Sequence, residues 1–164
     1  IEEINFIKNE LKIFNVSINY SENIKSSENL KNLKKQLEKV KTQNIIKDKT
    51  KNIIKDTKLN NFILRFQILN DLPSKELRNI VDQGKKEIKE GIIIAFCNFE
   101  GKVGVAVGVT SKLINKYDAV TLVKEAAEIL GGKGGGGRSD FAQAGGTNKE
   151  KIKEAYKALS KKIN

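Results

Sequence analysis

Glycine is absent from the first 58 residues of this chain, and all 13 glycines lie beyond them, eight between residues 131 and 146. A lysine-rich stretch with neither glycine nor proline has no built-in breaks and reads as helix. The remainder mixes apolar runs with turn residues and carries the single proline, Pro73. Two regions follow: a helical arm over 1–58 and a compact globular domain over 59–164.

Within the arm, Ile4, Ile7, Leu11 and Phe14 recur at helical spacing and predict a helix over 2–14. Asn15 to Ser21 breaks it, and Ser21 and Ser27 read as N-caps. From Glu28, Leu30, Leu33, Leu37 and Val40 form the seam of a helical hairpin or coiled coil. The rhythm fails at Asn44 and Lys47, then restarts out of register at Ile45, Ile46, Ile53 and Ile54. Fewer than two heptads are sustained, which favours packing against the first helix over a long two-chain coil. Residues 31–58 hold ten lysines and three acids. They form either a solvated face or a basic face near nucleic acid, and both readings stay open.

The second region alternates. Phe62 to Leu69 is a strand, and Pro73-Ser74 opens a helix with Leu77, Ile80, Val81 and Ile88 inward. Ile92 to Phe99 and Lys102 to Val109 form a hairpin around Glu100-Gly101. Ala119 to Leu130 and Asn148 to Ile163 are helices, so the order is β-α-β-β-α-loop-α. The fold class is α/β (α+β): a small mixed β-sheet covered by helices, preceded by the helical arm.

Composition narrows the chemistry. With 31 basic and 20 acidic residues the chain carries +11 and suits a polyanionic partner. It has no histidine and one cysteine, Cys97, which removes histidine-based triads, most zinc sites and internal disulfides. Cys97, mid-strand, reads as a small buried hydrophobe. No apolar run reaches transmembrane length and no secretory core is visible. A lone cysteine fits a reducing, cytoplasmic setting. A chain that begins with Ile and contains no Met is expected to be a piece of a longer protein. Tyr20, Tyr117 and Tyr156 are scattered and build no stacking platform for single strands.

The most informative stretch runs from Gly131 to Gly146: GGKGGGGRSDFAQAGG. A flexible linker would lack its apolar anchors, Phe141 and Ala144. Glycines around Lys133 and Arg138 let backbone amides approach an anion between two cations. Gly132, Gly134 and Gly137 fit G-x-G-x-x-G, but they follow a helix rather than a strand. A Walker A loop is excluded because Gly134 follows Lys133. A purely structural glycine loop also remains open.

The longer string resembles the C-terminal signature of the alanyl-tRNA synthetase family, G-G-K-G-G-G-R-P-D-x-A-Q-A-G-G. The resemblance covers roughly residues 60 to 148, including Leu77-Arg78, Val81-Asp82, the hairpin and the helix entering Gly131-Gly132. It departs in having four glycines before Arg138, Ser139 in place of proline, and Phe141 where methionine is common. It implies a helical arm followed by a globular domain of the DHH-associated type. The resemblance further implies that this region grips tRNA, here tRNA-Ala, at the corner where the D and T loops meet, and helps aminoacylation and editing act on one tRNA. The implied RNA-binding residues are Lys133, Gly134, Gly135, Gly136, Gly137, Arg138 and Gln143, with no catalytic residue and no metal. Gln143 can tie the segment down or touch a base edge, and Asp140 can cap the turn at Phe141. ATP, magnesium and zinc are implied only for domains N-terminal to these residues. Self-association occurs in the family, and neither membrane nor DNA binding is expected. The alternatives are the nucleotide-binding half of a DHH-type phosphodiesterase and an oligomerisation module built on the Leu30–Val40 seam.

Overall fold

The computed structural model describes residues 5–7, 9, 27–48 and 52–163. The chain divides into two compact units, residues 1–47 and 48–164, and each is described by itself.

In the first unit, residues 5–7 and 9 have helical backbone and α1 spans Ser27–Lys47. Leu33 and Leu37 are buried together with Ile7, flanked by half-buried Leu30 and Val40. The expected seam is therefore covered from within the same chain. Lys31, Lys34, Lys35 and Lys39 are exposed. The rest of the helix expected over 2–14, the break at 15–21, Ser21 and the side chain of Ser27 lie outside the described residues.

The second unit runs β1 (Ile53–Leu59), β2 (Phe62–Asn70), α2 (Leu77–Ile88), β3 (Gly91–Phe99), β4 (Lys102–Val109), α3 (Ala119–Ile129), β5 (Gly135–Arg138), β6 (Phe141–Gly146) and α4 (Ile152–Ile163). Short 3-10 turns at Ser74–Glu76 and Lys149–Lys151 lead into α2 and α4. The strands form one sheet in the order β1-β2-β3-β4-β6-β5. Only β2 and β3 are parallel, with α2 as their crossover.

Both faces of the centre are covered, which is why Ile92 to Cys97 is apolar without alternation. On one face Phe66, Ile94, Phe96, Val105 and Val107 pack against Leu122, Val123 and Leu159 of α3 and α4. Phe66 stacks on Tyr156 at 4.0 Å and meets Phe96 edge-on. On the other face α2 lies against β3 and β4. Cys97 is fully buried there with its Sγ 3.5 Å from the Ser74 hydroxyl, and burial raises its thiol pKa. Asp118 caps α3 through the Thr121 amide (2.8 Å) and hydroxyl (2.7 Å).

Two expectations are corrected. The arm expected over 1–58 does not run as helix to its end: α1 stops at Lys47 and residues 53–58 belong to β1, paired along its length with β2. Arg65 on β2 fastens this edge, donating Nε and Nη2 to Asp56 at 2.8 Å each and Nη1 to Glu87 of α2. These carboxylates raise its pKa further. Asn52 Oδ1 accepts from the Asn70 amide at 3.1 Å. The glycine segment, expected as a loop, is the β5–β6 hairpin, with Gly136 opposite Gln143 and Arg138 opposite Phe141.

Candidate functional site

β5 is the outer strand of the sheet and, among the described residues, has a partner on one side only. Its residues alternate between faces. Gly135 and Gly137 stand opposite Ala144 and Ala142 on the side of α3, where a Cβ on Gly135 would lie 3.1 Å from Val123 Cγ1. Gly137 has φ +155°, and a Cβ there would run into the Phe141 carbonyl oxygen. Gly136 and Arg138 face the other way. An added Cβ on Gly136 would meet nothing within 4 Å, so this glycine leaves open space rather than relieving a clash.

That space is a shallow cleft of about 490 Å³ bounded by Lys75, Arg78, Gly136, Arg138, Phe141 and Gln143. Three cations therefore converge on one opening. Phe141 forms its apolar floor, and the Arg78 guanidinium sits over the ring at 5.2 Å, a cation–π contact that holds it in place. Arg78 lies 3.9 Å from Asp82, a loose surface pair.

Of the residues expected to bind, Gly136, Gly137, Arg138 and Gln143 line the cleft, whereas Lys133, Gly134 and Gly135 do not. Lys133 is exposed and makes no ion pair with a described residue. Gly134 has φ +115°, a conformation that admits glycine readily. Gln143 is exposed and its side chain makes no hydrogen bond to a described residue, so the backbone ladder rather than this amide ties the segment down. Lys75 and Arg78, which also line the cleft, lie outside the glycine motif. Lys75 lies in the 3-10 turn and Arg78 in the first turn of α2, where a cation runs against the helix dipole, with Glu76 between them at the N-cap.

Asp140 joins the hairpin turn to α2 instead of capping it. Its carbonyl oxygen accepts from Lys85 Nζ at 2.6 Å and from the Val109 amide at 2.9 Å. Its carboxylate accepts from Arg138 Nε at 3.1 Å and lies 3.5 Å from Lys85 Nζ. Partial burial would raise the Asp140 pKa, but Lys85 and Arg138 outweigh it and hold the carboxyl below its ordinary range. A pKa depressed in the fold stabilises above the ordinary carboxylate value of about 4, and that contribution fades as pH falls through the depressed value. Asp140→Asn should therefore flatten the fall in stability below about pH 4 in urea melts. At neutral pH the loss should stay under about 1 kcal/mol, because Arg138 is 70% and Asp140 40% exposed. An unchanged acid limb in the variant would mean that other carboxylates dominate it.

Among the described residues no group of three or more histidine, cysteine, aspartate or glutamate side chains is placed to hold a metal ion, and no helix is long and apolar enough to cross a membrane.

Residues 60–164 match the DHHA1 domain family. The chain is 45% identical over 101 residues to the alanine–tRNA ligase of Hyphomonas neptunium, covering 62% of this chain and 12% of that protein. It is 44% identical over 99 residues to the alanine–tRNA ligase of Bradyrhizobium diazoefficiens, covering 60% of this chain and 11% of that one. The chain thus corresponds to a small fraction of these relatives' length. Among solved structures, the C-Ala domain of Aquifex aeolicus alanyl-tRNA synthetase superposes with a TM-score of 0.61 at 30% identity, covering 65% of this chain and 96% of that domain. A DHH-domain member of the s1p family of ribosomal proteins shares the fold at a TM-score of 0.52 and 20% identity, over 82% of this chain and 32% of that one. The chain belongs to the DHHA1 domain family, in the C-Ala form carried by alanyl-tRNA synthetases.

Proposed function

We propose that this chain is the C-terminal tRNA-binding portion of an alanine–tRNA ligase, acting in the cytoplasm and gripping tRNA-Ala at the corner formed by its D and T loops. Aminoacylation and editing, with their ATP, magnesium and zinc, belong on this reading to other domains, and the grip helps both sites work on one tRNA.

The observation that supports RNA binding best is the convergence of Lys75, Arg78 and Arg138 on a cleft at the open edge of a glycine strand. Planar guanidinium forks suit phosphate oxygens, and a side-chain-free strand lets a bulky backbone come close. The one aromatic at the cleft, Phe141, is buried and covered by Arg78, so on this reading recognition rests on shape and phosphate position, as expected for structured RNA.

The test compares a full tRNA transcript with an acceptor-stem minihelix at one salt concentration. The full tRNA should bind more tightly, and Arg138→Ala should weaken its binding by about 1–3 kcal/mol. Equal affinity for the two RNAs, or a variant that binds like the parent, would leave only unspecific charge attraction.

A further inference from the structure

Beyond the cleft, α2 carries a basic stripe. Arg78 and Lys85 lie on the helix itself with Asp82 between them, Lys75 stands in the 3-10 turn before it, and Lys89 caps its C-terminal end. At the C-terminal end of this stripe lies a second open cleft of about 370 Å³, bounded by Lys85, Lys86, Lys89, Thr110, Ser111 and Asp140. The two clefts flank one hairpin turn: Asp140 lines the second, and its partner Arg138 lines the first.

We propose that this second cleft is a further phosphate subsite for the same RNA, with Lys86 and Lys89 as its binding residues and Lys85 positioning the turn between the two subsites. The proposal rests on the RNA-binding reading above and extends it along the helix.

Four observations support it. Lys85 Nζ is committed to the Asp140 carbonyl, whereas Lys86 and Lys89 are exposed and have no ion pair with a described residue. Of the neighbouring acids, Glu90 is paired with Lys112 at 2.8 Å, Glu87 with Arg65 and Gln83, and Asp140, which lines the cleft itself, with Lys85 and Arg138. Lys89 occupies a positive-φ turn (φ 61°, ψ −53°) closed by the Glu90 amide donating to the Ile88 carbonyl at 2.7 Å. This strained γ-turn suits glycine far better, yet a long cation stands there. Finally, the helix rise places the Cα atoms of Arg78 and Ile88, the residue before Lys89, about 15 Å apart, a span covered by several phosphates of one strand. The chemistry favours a nucleic-acid backbone over a lipid surface, because the cleft's apolar lining, Val109 and Ile114, is buried or half-buried and offers no exposed apolar side chain to insert into a bilayer.

The test measures binding of the whole 164-residue chain to a folded tRNA transcript across a salt series. Lys86→Ala/Lys89→Gly is compared with Lys153→Ala/Lys157→Ala, an equal loss of charge from exposed positions on α4. The α2 pair should weaken binding at least about ten-fold at 0.1 M salt and flatten the log–log salt slope by about two units. Lys86→Ala alone should give about half that slope change. The α4 pair should do far less. The α2 variant should melt no lower than the parent, since glycine relieves the turn at residue 89. If the α2 and α4 pairs behave alike while Arg138→Ala still weakens binding, the second subsite is overturned and the RNA reading stands. If Arg138→Ala also binds like the parent, both fail. Vesicles of phosphatidylserine and phosphatidylcholine provide the remaining arm. Vesicle binding that depends on Lys86 and Lys89, with tRNA affinity unchanged, would assign the cleft to a membrane surface and overturn the proposal.

Discussion

Gly137→Ala should destabilise the globular unit by about 3 kcal/mol, whereas Gly136→Ala, one residue earlier, should change stability by less than about 0.5 kcal/mol. At Gly137 two penalties combine. A φ of +155° is poorly available to alanine, and the new methyl would press on the Phe141 carbonyl and lie 2.5 Å from Ala142 Cα, in the strand that pairs β5 to the sheet. At Gly136 nothing stands within 4 Å, and alanine loses less backbone entropy than glycine on folding. Urea midpoints of the two variants give the comparison. Equal midpoints would mean that the hairpin yields without strain. Because Gly136 faces the cleft, its methyl variant also separates a binding defect from a folding one.

The second large effect concerns where the globular unit begins. The family match starts at residue 60, but the compact unit starts at residue 48 and includes β1. A chain of residues 48–164 should unfold cooperatively by itself. A chain of residues 60–164 loses Asp56, one of two carboxylates on Arg65, whose side chain is only 12% exposed, and also loses Asn52 Oδ1 from the Asn70 amide. Losing the whole β1 ladder and baring the edge of β2, with a smaller share from the partly exposed Asp56 carboxylate, should lower stability by about 3 kcal/mol. The bared edge should also promote self-association. Thermal melts and sedimentation of the two chains test this. Equal melting temperatures would show that β1 adds nothing to the fold.

What sequence could and could not show follows from the same residues. The β3–β4 hairpin was legible because Ile92 to Cys97 is unbroken and Glu100-Gly101 supplies two positive φ angles. α2 was legible from Leu77, Ile80, Val81 and Ile88. β1 was missed because Ile53-Ile54-Lys55-Asp56 alternates in neither helical nor strand period. As an edge strand it exposes both isoleucines, so burial imposes no pattern on it. β5 was missed because three glycines in its four residues argue against a strand. Its pairing depends on β6, which is held in turn by β4, well separated in sequence. Arg138 and Gly136 were legible from the motif. Lys75 and Arg78 were not, because only the sheet order brings α2 beside the hairpin.

The Arg138–Asp140 contact bears on how quickly an anion can leave. On the RNA-binding reading proposed above, a phosphate reaching Arg138 would meet a guanidinium whose Nε already holds the Asp140 carboxylate, so one partner would be exchanged for another. On departure Asp140 stands ready to take the phosphate's place, so Arg138 need not be left unpaired as the old contact breaks. On that reading such an exchange eases release of a bound anion. It suits a surface that must let go of one polyanion before holding the next.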